Sequence, residues 1–174
     1  PDTPSNTFCL STQVGCAMNC GFCLTGRMGF VRNLSAGEIA GQVRVLAGET
    51  GLLDKRFNIV LMGMGEPLHN YAQTMKALRM LADPYGLAVS PRRITLSTVG
   101  VPSALDRLAN EPIVPNLAIS LHAADDETRS RLMPINKKYP LPELMKALRA
   151  YPLPRRRRIT IEYTLVAGKN DTVQ

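Results

Sequence analysis

The stretch Cys16-Ala17-Met18-Asn19-Cys20-Gly21-Phe22-Cys23 sets three thiols at a C-x3-C-x2-C spacing. It follows an extended, β-prone run over residues 8–14, so the thiols are expected in a loop directly after a strand. Thiolates packed this densely suit a soft, positively charged partner, and an iron–sulfur cluster is the leading reading. A structural zinc would want four ligands, usually in paired C-x2-C knuckles. The nearest further thiol is Cys9, and His69 and His122 are remote in the sequence. Zinc and plain thiols therefore stay as lesser alternatives. Disulfides among neighbouring thiols are disfavoured in a chain with four cysteines and no secretory signal. Three cysteines on a four-iron cluster leave one iron open to a small molecule, which makes this loop a candidate reaction centre.

Outward from the thiols the chain alternates strand-like and helix-like segments. Residues 26–33 read as a basic, glycine-broken connection. Ser35 and Glu38 form a capping-box pattern ahead of Ile39, Val43, Leu46 and Ala47 at helical spacing. Residues 48–55 read as a loop, and residues 57–62 as a strand buried on both faces that ends in Gly63-Met64-Gly65-Glu66-Pro67. Helices are expected over 71–81, around Ala104, Leu105 and Leu108, after Asp125-Asp126-Glu127 until Met133-Pro134 breaks the turn, and over 142–150. Further strands are expected over 94–98, 116–121 and 159–165. Five strands separated by helices predict an α/β fold with a parallel sheet. The residues with chemistry fall just past strand C-termini, where such folds place their sites. These are the three thiols, Glu66, Ser97 and Ser120-Leu121-His122.

A chain of 174 residues, 45% of them hydrophobic, can bury a core. No apolar run approaches the ~20 residues that span a bilayer. Pro1-Asp2-Thr3-Pro4-Ser5-Asn6 lacks the features of a signal peptide, and the chain does not begin with Met, so a cytoplasmic fragment is expected. Lys and Arg number 21 against 14 Asp and Glu, a formal charge of +7, which favours RNA or DNA over a membrane as partner. Arg155-Arg156-Arg157-Arg158 reads either as a solvated turn or as a phosphate contact, and Lys137-Lys138 the same way.

The thiol spacing with Phe22 before its last Cys, followed by a strand ending in Gly-Glu-Pro, resembles the radical S-adenosylmethionine (SAM) superfamily. More narrowly, several runs resemble the bacterial dual-specificity 23S rRNA and tRNA adenine carbon-2 methyltransferases. They are Ser11-Thr12-Gln13-Val14-Gly15-Cys16, Gly63-Met64-Gly65-Glu66-Pro67, Arg93-Ile94-Thr95-Leu96-Ser97-Thr98, Ile119-Ser120-Leu121-His122 and Met133-Pro134-Ile135-Asn136-Lys137-Lys138. The resemblance implies an incomplete parallel (β/α) barrel with about five of the six strands typical of that family, formed as one radical SAM core domain over 1–174. It implies a [4Fe-4S] cluster on Cys16, Cys20 and Cys23 whose open iron chelates SAM. Gly65 and Glu66 would bind the SAM amino group, and Ser97, Ser120, Leu121 and His122 its carboxylate and ribose. Reductive cleavage of SAM would give a 5′-deoxyadenosyl radical that activates a methylated cysteine. Cys9 occupies the position of a catalytic thiol that resolves the protein–RNA adduct through a transient disulfide.

The implied partners are 23S rRNA, tRNA and a reductant such as flavodoxin or ferredoxin, with a monomeric protein. The family's methyl-carrying cysteine, a SAM-contacting asparagine, its proton acceptor and its small N-terminal RNA-binding domain have no match here, so both ends are expected to be truncated and methyl transfer to need more chain. Two rival readings are the adenine carbon-8 methyltransferases of the antibiotic-resistance type and a non-catalytic metal-binding RNA module.

Overall fold

The structure, a computed structural model, describes residues 6–153 and 155–172; the stretch 1–5, which belongs to the signal-peptide reading, lies outside them. In chain order the elements are β1 (Thr7–Cys9), β2 (Gln13–Gly15), α1 (Leu24–Arg27), β3 (Phe30–Asn33), α2 (Ala36–Glu49), β4 (Asn58–Leu61) and α3 (Tyr71–Ala82). Then follow β5 (Ile94–Thr98), α4 (Pro102–Ala109), β6 (Asn116–Ser120), α5 (Asp126–Leu132), α6 (Leu141–Ala150) and β7 (Ile159–Glu162), with 3-10 turns at Pro91–Arg93 and Pro134–Lys137. Five strands form one sheet in the order β1-β4-β5-β6-β7. Every neighbouring pair is parallel, with helices in the connections between them. The parallel sheet is the one the alternation predicts, and it forms the wall of an incomplete α/β barrel, as the family resemblance implies.

Register explains which face is closed. Phe8, Ile59 and Ile94 stand in line across β1, β4 and β5, and Leu96 faces Leu117 of β6. This face is buried with Ile39 and Val43 of α2, Met75 and Leu78 of α3, Leu105 of α4 and Leu144 of α6 in one core. Side chains of the intervening residues point the other way. There Val60, Ser97 and Ser120 are only half-buried, and Cys9 is exposed. The run 57–62 is accordingly not buried on both faces. It alternates, and Met62 is 42% exposed, because the second face of the sheet looks into a cavity instead of a helix layer.

The thiol stretch departs most from the expectation. Residues 8–14 are not one strand. The ladder with β4 continues through Leu10 N–H to the Val60 carbonyl (2.9 Å), and then the chain turns away. Gln13–Gly15 instead pairs antiparallel with Phe30–Asn33, in the segment read as a connection, with a register shift between Val14 and Gly15. Gly15 sits at φ +77°, and a Cβ there would lie 1.9 Å from the Gly29 carbonyl oxygen. The thiols thus hang between two paired strands. Downstream, the capping box forms as predicted. Ser35 Oγ accepts from Glu38 N–H (3.2 Å) while Glu38 Oε2 accepts from Ser35 N–H (2.8 Å).

Candidate active site

Residues 10–13 grip the Gly63-to-Glu66 turn and so couple it to the thiol loop. Gly63 N–H donates to the Leu10 carbonyl (3.0 Å), Met64 N–H to Ser11 Oγ (3.0 Å) and Glu66 N–H to Gln13 Oε1 (2.9 Å). The buried Gln13 also donates through Nε2 to Asn33 Oδ1 (2.8 Å), tying the turn to β3. Gly65 at φ +103° would meet the Gln13 side chain at 2.6 Å if it carried a Cβ, so this close approach requires glycine.

The thiol loop is fixed from both sides. Cys16 N–H donates to the Gly29 carbonyl (2.9 Å), and Gly21 N–H to the Leu132 carbonyl at the end of α5 (2.8 Å). Phe22 meets the His122 ring edge-on, with centroids 4.7 Å apart. Cys20 is buried, Cys16 and Cys23 half-buried, and all four cysteines are free. Burial pushes the Cys20 thiol up to about 12, with the neighbouring Cys16, Cys23 and Glu66 adding to the rise and Arg129 opposing it. Burial likewise raises Cys16.

A cavity of about 410 Å³ opens at the C-terminal ends of the strands. Cys16, Cys20, Cys23, Gly65, Glu66, Ser97, Ser120 and His122 all line it. Leu121 does not: it packs against the core, and its carbonyl accepts from Arg129 Nε (3.1 Å). Cys9 lies on the same open face of the sheet but outside that lining.

Glu66 is 3% exposed. Its Oε1 accepts from Thr98 Oγ1 (2.6 Å) and Leu68 N–H (3.0 Å), and its Oε2 from Val99 N–H (2.9 Å). Burial raises its pKa, and these three donors act against the rise. A carboxylate offers about four lone-pair sites, and the described residues fill three of those on Glu66, which lines the cavity. His122, at φ +58°, accepts from Thr164 N–H through Nδ1 (2.9 Å), which leaves its proton on Nε2 when neutral. Burial lowers its pKa and keeps it neutral near pH 7.

Three further residues were not legible as site residues. Glu162 of β7 lines the cavity and accepts from Ser97 Oγ (2.5 Å) and Ser120 Oγ (3.1 Å), joining β5, β6 and β7 through one carboxylate. Its signal was a lone acid closing the otherwise β-prone Ile159–Glu162. Asn170 is buried and donates to the carbonyls of His122 (2.7 Å) and Thr164 (2.8 Å), clamping the segment after β7 onto the rim. Arg129 is 1% exposed, and its guanidinium donates to the carbonyls of Val99 (2.9 Å) and Ser120 (3.3 Å) and to Asn136 Oδ1 (2.7 Å).

The donor chemistry fits an iron–sulfur cluster. Three thiols share one rim, and the raised pKa values of Cys16 and Cys20 mean that nearby positive charge is needed to hold those two as thiolates. Among the described residues no three His, Cys, Asp or Glu side chains converge on a point that would suit a single metal ion. In a cluster each thiolate takes its own iron, so its ligands spread over a rim and do not meet at one centre.

Comparison with known proteins agrees with this geometry. A family model described as the radical SAM superfamily matches residues 10–172. The dual-specificity RNA methyltransferase RlmN of Sorangium cellulosum is 61% identical over 166 residues, covering 95% of this chain and 43% of the relative. RlmN of Syntrophobacter fumaroxidans is 56% identical, over 98% of this chain and 50% of its own. The crystal structure of a radical SAM methyltransferase from Sphaerobacter thermophilus superposes with a TM-score of 0.93 at 46% identity, over 99% of this chain and 51% of that one. Streptococcus suis SuiB, at 16% identity and a TM-score of 0.59 over 91% of this chain and 34% of that one, shares the fold alone. The chain spans about half the length of the curated relatives it matches. A parallel sheet carrying a three-thiol loop at its C-terminal rim, with a family match over residues 10–172, leaves one conclusion: the chain belongs to the radical SAM superfamily.

Proposed function

We propose that residues 1–174 form the radical SAM core of a methyltransferase that modifies carbon 2 of adenine in 23S rRNA and tRNA. The observation that carries this is the shared lining of one cavity by the three thiols, Glu66, Ser97, Ser120 and His122. Identities of 61% and 56% to proteins named dual-specificity RNA methyltransferases support the substrate class. Because the chain spans about half of those relatives, methyl transfer belongs to the whole protein, in the cytoplasm and with a reductant of the flavodoxin or ferredoxin kind.

Cys16, Cys20 and Cys23 are the thiolate ligands of a [4Fe-4S] cluster, which when bound supplies an electron and an open iron for SAM. Gly65 and the Glu66 carboxylate receive the SAM ammonium, a charge-assisted contact. Ser97, Ser120 and Glu162 present hydroxyls and one negative charge to the ligand's polar groups, and Leu121 backs them from the core. His122 presents a neutral Nε2–H to the cavity. Phe22 packs the thiol loop against His122. Cys9 is an exposed thiol unencumbered by a disulfide, the state a resolving nucleophile requires.

Anaerobic reconstitution with iron and sulfide, reduction by dithionite and addition of SAM should yield 5′-deoxyadenosine. A Cys16→Ala/Cys20→Ala/Cys23→Ala variant should yield none and bind no iron. Bound zinc in place of iron, or product from the triple variant, would overturn the assignment of these thiols.

A further inference from the structure

Positive charge is concentrated at the end of the sheet opposite the cavity. Arg92 lies in the turn that leads into β5, Asn116 opens β6 and Arg158 immediately precedes β7. With Arg155, Arg156 and Arg157 they line a groove of about 370 Å³. A neighbouring hollow of about 320 Å³, at the N-terminal ends of β4 and β5, adds Lys55, Arg56 and Arg93. The five residues of β5 separate this end from the active-site rim by roughly 16 Å of strand.

The groove is built from neutral contacts that leave its charge unspent. Arg157 donates to the Val114 carbonyl (2.5 Å), Asn116 Nδ2 to the Arg92 carbonyl (2.8 Å) and Arg93 to Asn58 Oδ1 (3.3 Å). Arg156 adopts φ +67°, uncommon for a residue with a side chain, and turns the chain within the run. The ion pairs among the described residues join Arg32 to Glu38, Arg79 to Glu111 and Arg131 to Glu127, and none includes a cation of this surface. Guanidinium groups crowded without a counter-charge repel one another, and a polyanion relieves that repulsion. Their planar forks match phosphate in geometry. Among the described residues no aromatic ring lines the groove, so its chemistry is that of a backbone contact and not of base stacking.

We propose that this groove is a second RNA-binding surface, gripping phosphodiester groups of the same RNA whose adenine enters the cavity at the far end of the sheet. The inference rests on the RNA methyltransferase reading and adds a location to it. Phosphate contacts position a nucleic acid without reading its sequence. An anchor of this kind serves two different RNAs equally well, and places the recognition of a folded RNA at two ends of one sheet.

The test is binding of a tRNA transcript to the whole protein across a salt series. Arg155→Gln/Arg158→Gln removes two exposed guanidinium groups and spares the bonded Arg157 and the turn at Arg156. The slope of log affinity against log salt should become shallower by roughly 2, about 1 per arginine, and equally so for an unrelated RNA. Arg155→Lys/Arg158→Lys should keep the parent slope, which separates lost charge from lost fold. Release of 5′-deoxyadenosine should be unchanged in both variants. An unchanged slope in a parent that binds RNA overturns the groove and leaves the methyltransferase reading standing. A parent that binds no RNA overturns both, and a parent that prefers anionic lipid vesicles to RNA overturns the groove.

Discussion

Arg129 shows how one side chain holds the site's architecture together. It is buried beneath the rim, and among the described residues no carboxylate stands within ion-pair distance of it. Its donors go to four acceptors on three separate segments: the carbonyls of Val99, Ser120 and Leu121, and the Asn136 side chain. Burial of a guanidinium costs several kcal/mol unless its surroundings answer the charge. Here the answer is a ring of carbonyl dipoles, with Cys20 and the more distant Asp126 carboxylate favouring the charge electrostatically. Lysine keeps the charge but cannot reach the same acceptors with one ammonium. Arg129→Lys should therefore leave buried carbonyls unpaired and lower stability by about 2–4 kcal/mol, read from urea midpoints at an unchanged m-value. A loss below about 0.5 kcal/mol would mean that the site does not depend on this contact set. In the sequence this arginine was invisible. It sits in Asp126–Leu132, a segment expected as a helix with no inward face assigned, and nothing local distinguishes it from the exposed Arg131.

At the scale of elements, legibility followed the range of the forces involved. The capping box of α2 was readable because its partners lie three residues apart, and the start of α5 from its three consecutive acids; that Asp125 itself caps the helix, accepting from Thr128 N–H, is a finding of the structure. The five parallel strands were readable from short apolar runs set between helical patterns. The β2–β3 ladder was not. Its strands have three and four residues, and their pairing depends on glycines whose need appears only once two backbones meet. Glu162 was missed because its role comes from register: β7 sets it directly opposite Ser120. The helix-end claim can be tested at α2. Ser35→Ala should lose about 1 kcal/mol, a fall of roughly 2–4 °C in melting temperature. The Arg32 guanidinium bonded to Glu38, aided by Ser35, depresses the Glu38 carboxyl from 4.5 to about 2. A depressed carboxyl adds stability that is complete above its unfolded value and is lost as pH falls through the folded one. The stability gap between the parent and a Glu38→Gln variant should thus be flat above about pH 5 and close between 4.5 and about 2. A gap that persists undiminished at pH 2 would assign the effect to packing instead of charge.

The molecule as a whole is a wall with chemistry at one end and charge at the other. Its cavity draws on the thiol loop, the turn after β4, and the C-terminal ends of β5, β6 and β7. A ligand seated there touches every strand of the sheet except β1, and the segment that follows β1 is bonded to the turn through Leu10 and Gln13. Such a ligand should stabilise the fold globally and not merely one loop. Binding at a hundredfold excess over Kd contributes about 2.7 kcal/mol to the folded state. For a chain of this size that is a rise of roughly 5–10 °C in melting temperature. SAM should produce it in the anaerobically reconstituted protein and should produce much less in the protein stripped of iron, where the thiols offer no open coordination position. Glu162→Gln, which removes the carboxylate shared by Ser97 and Ser120, should weaken SAM by roughly 10- to 150-fold, the equivalent of the about 1.5–3 kcal/mol typical of a charged hydrogen bond. It should leave the iron content untouched, because it alters no thiol. An equal thermal shift with and without iron would place SAM elsewhere than on the cluster rim. A Glu162→Gln protein that binds SAM as its parent does would show that the three-strand polar bridge serves the sheet and not the ligand.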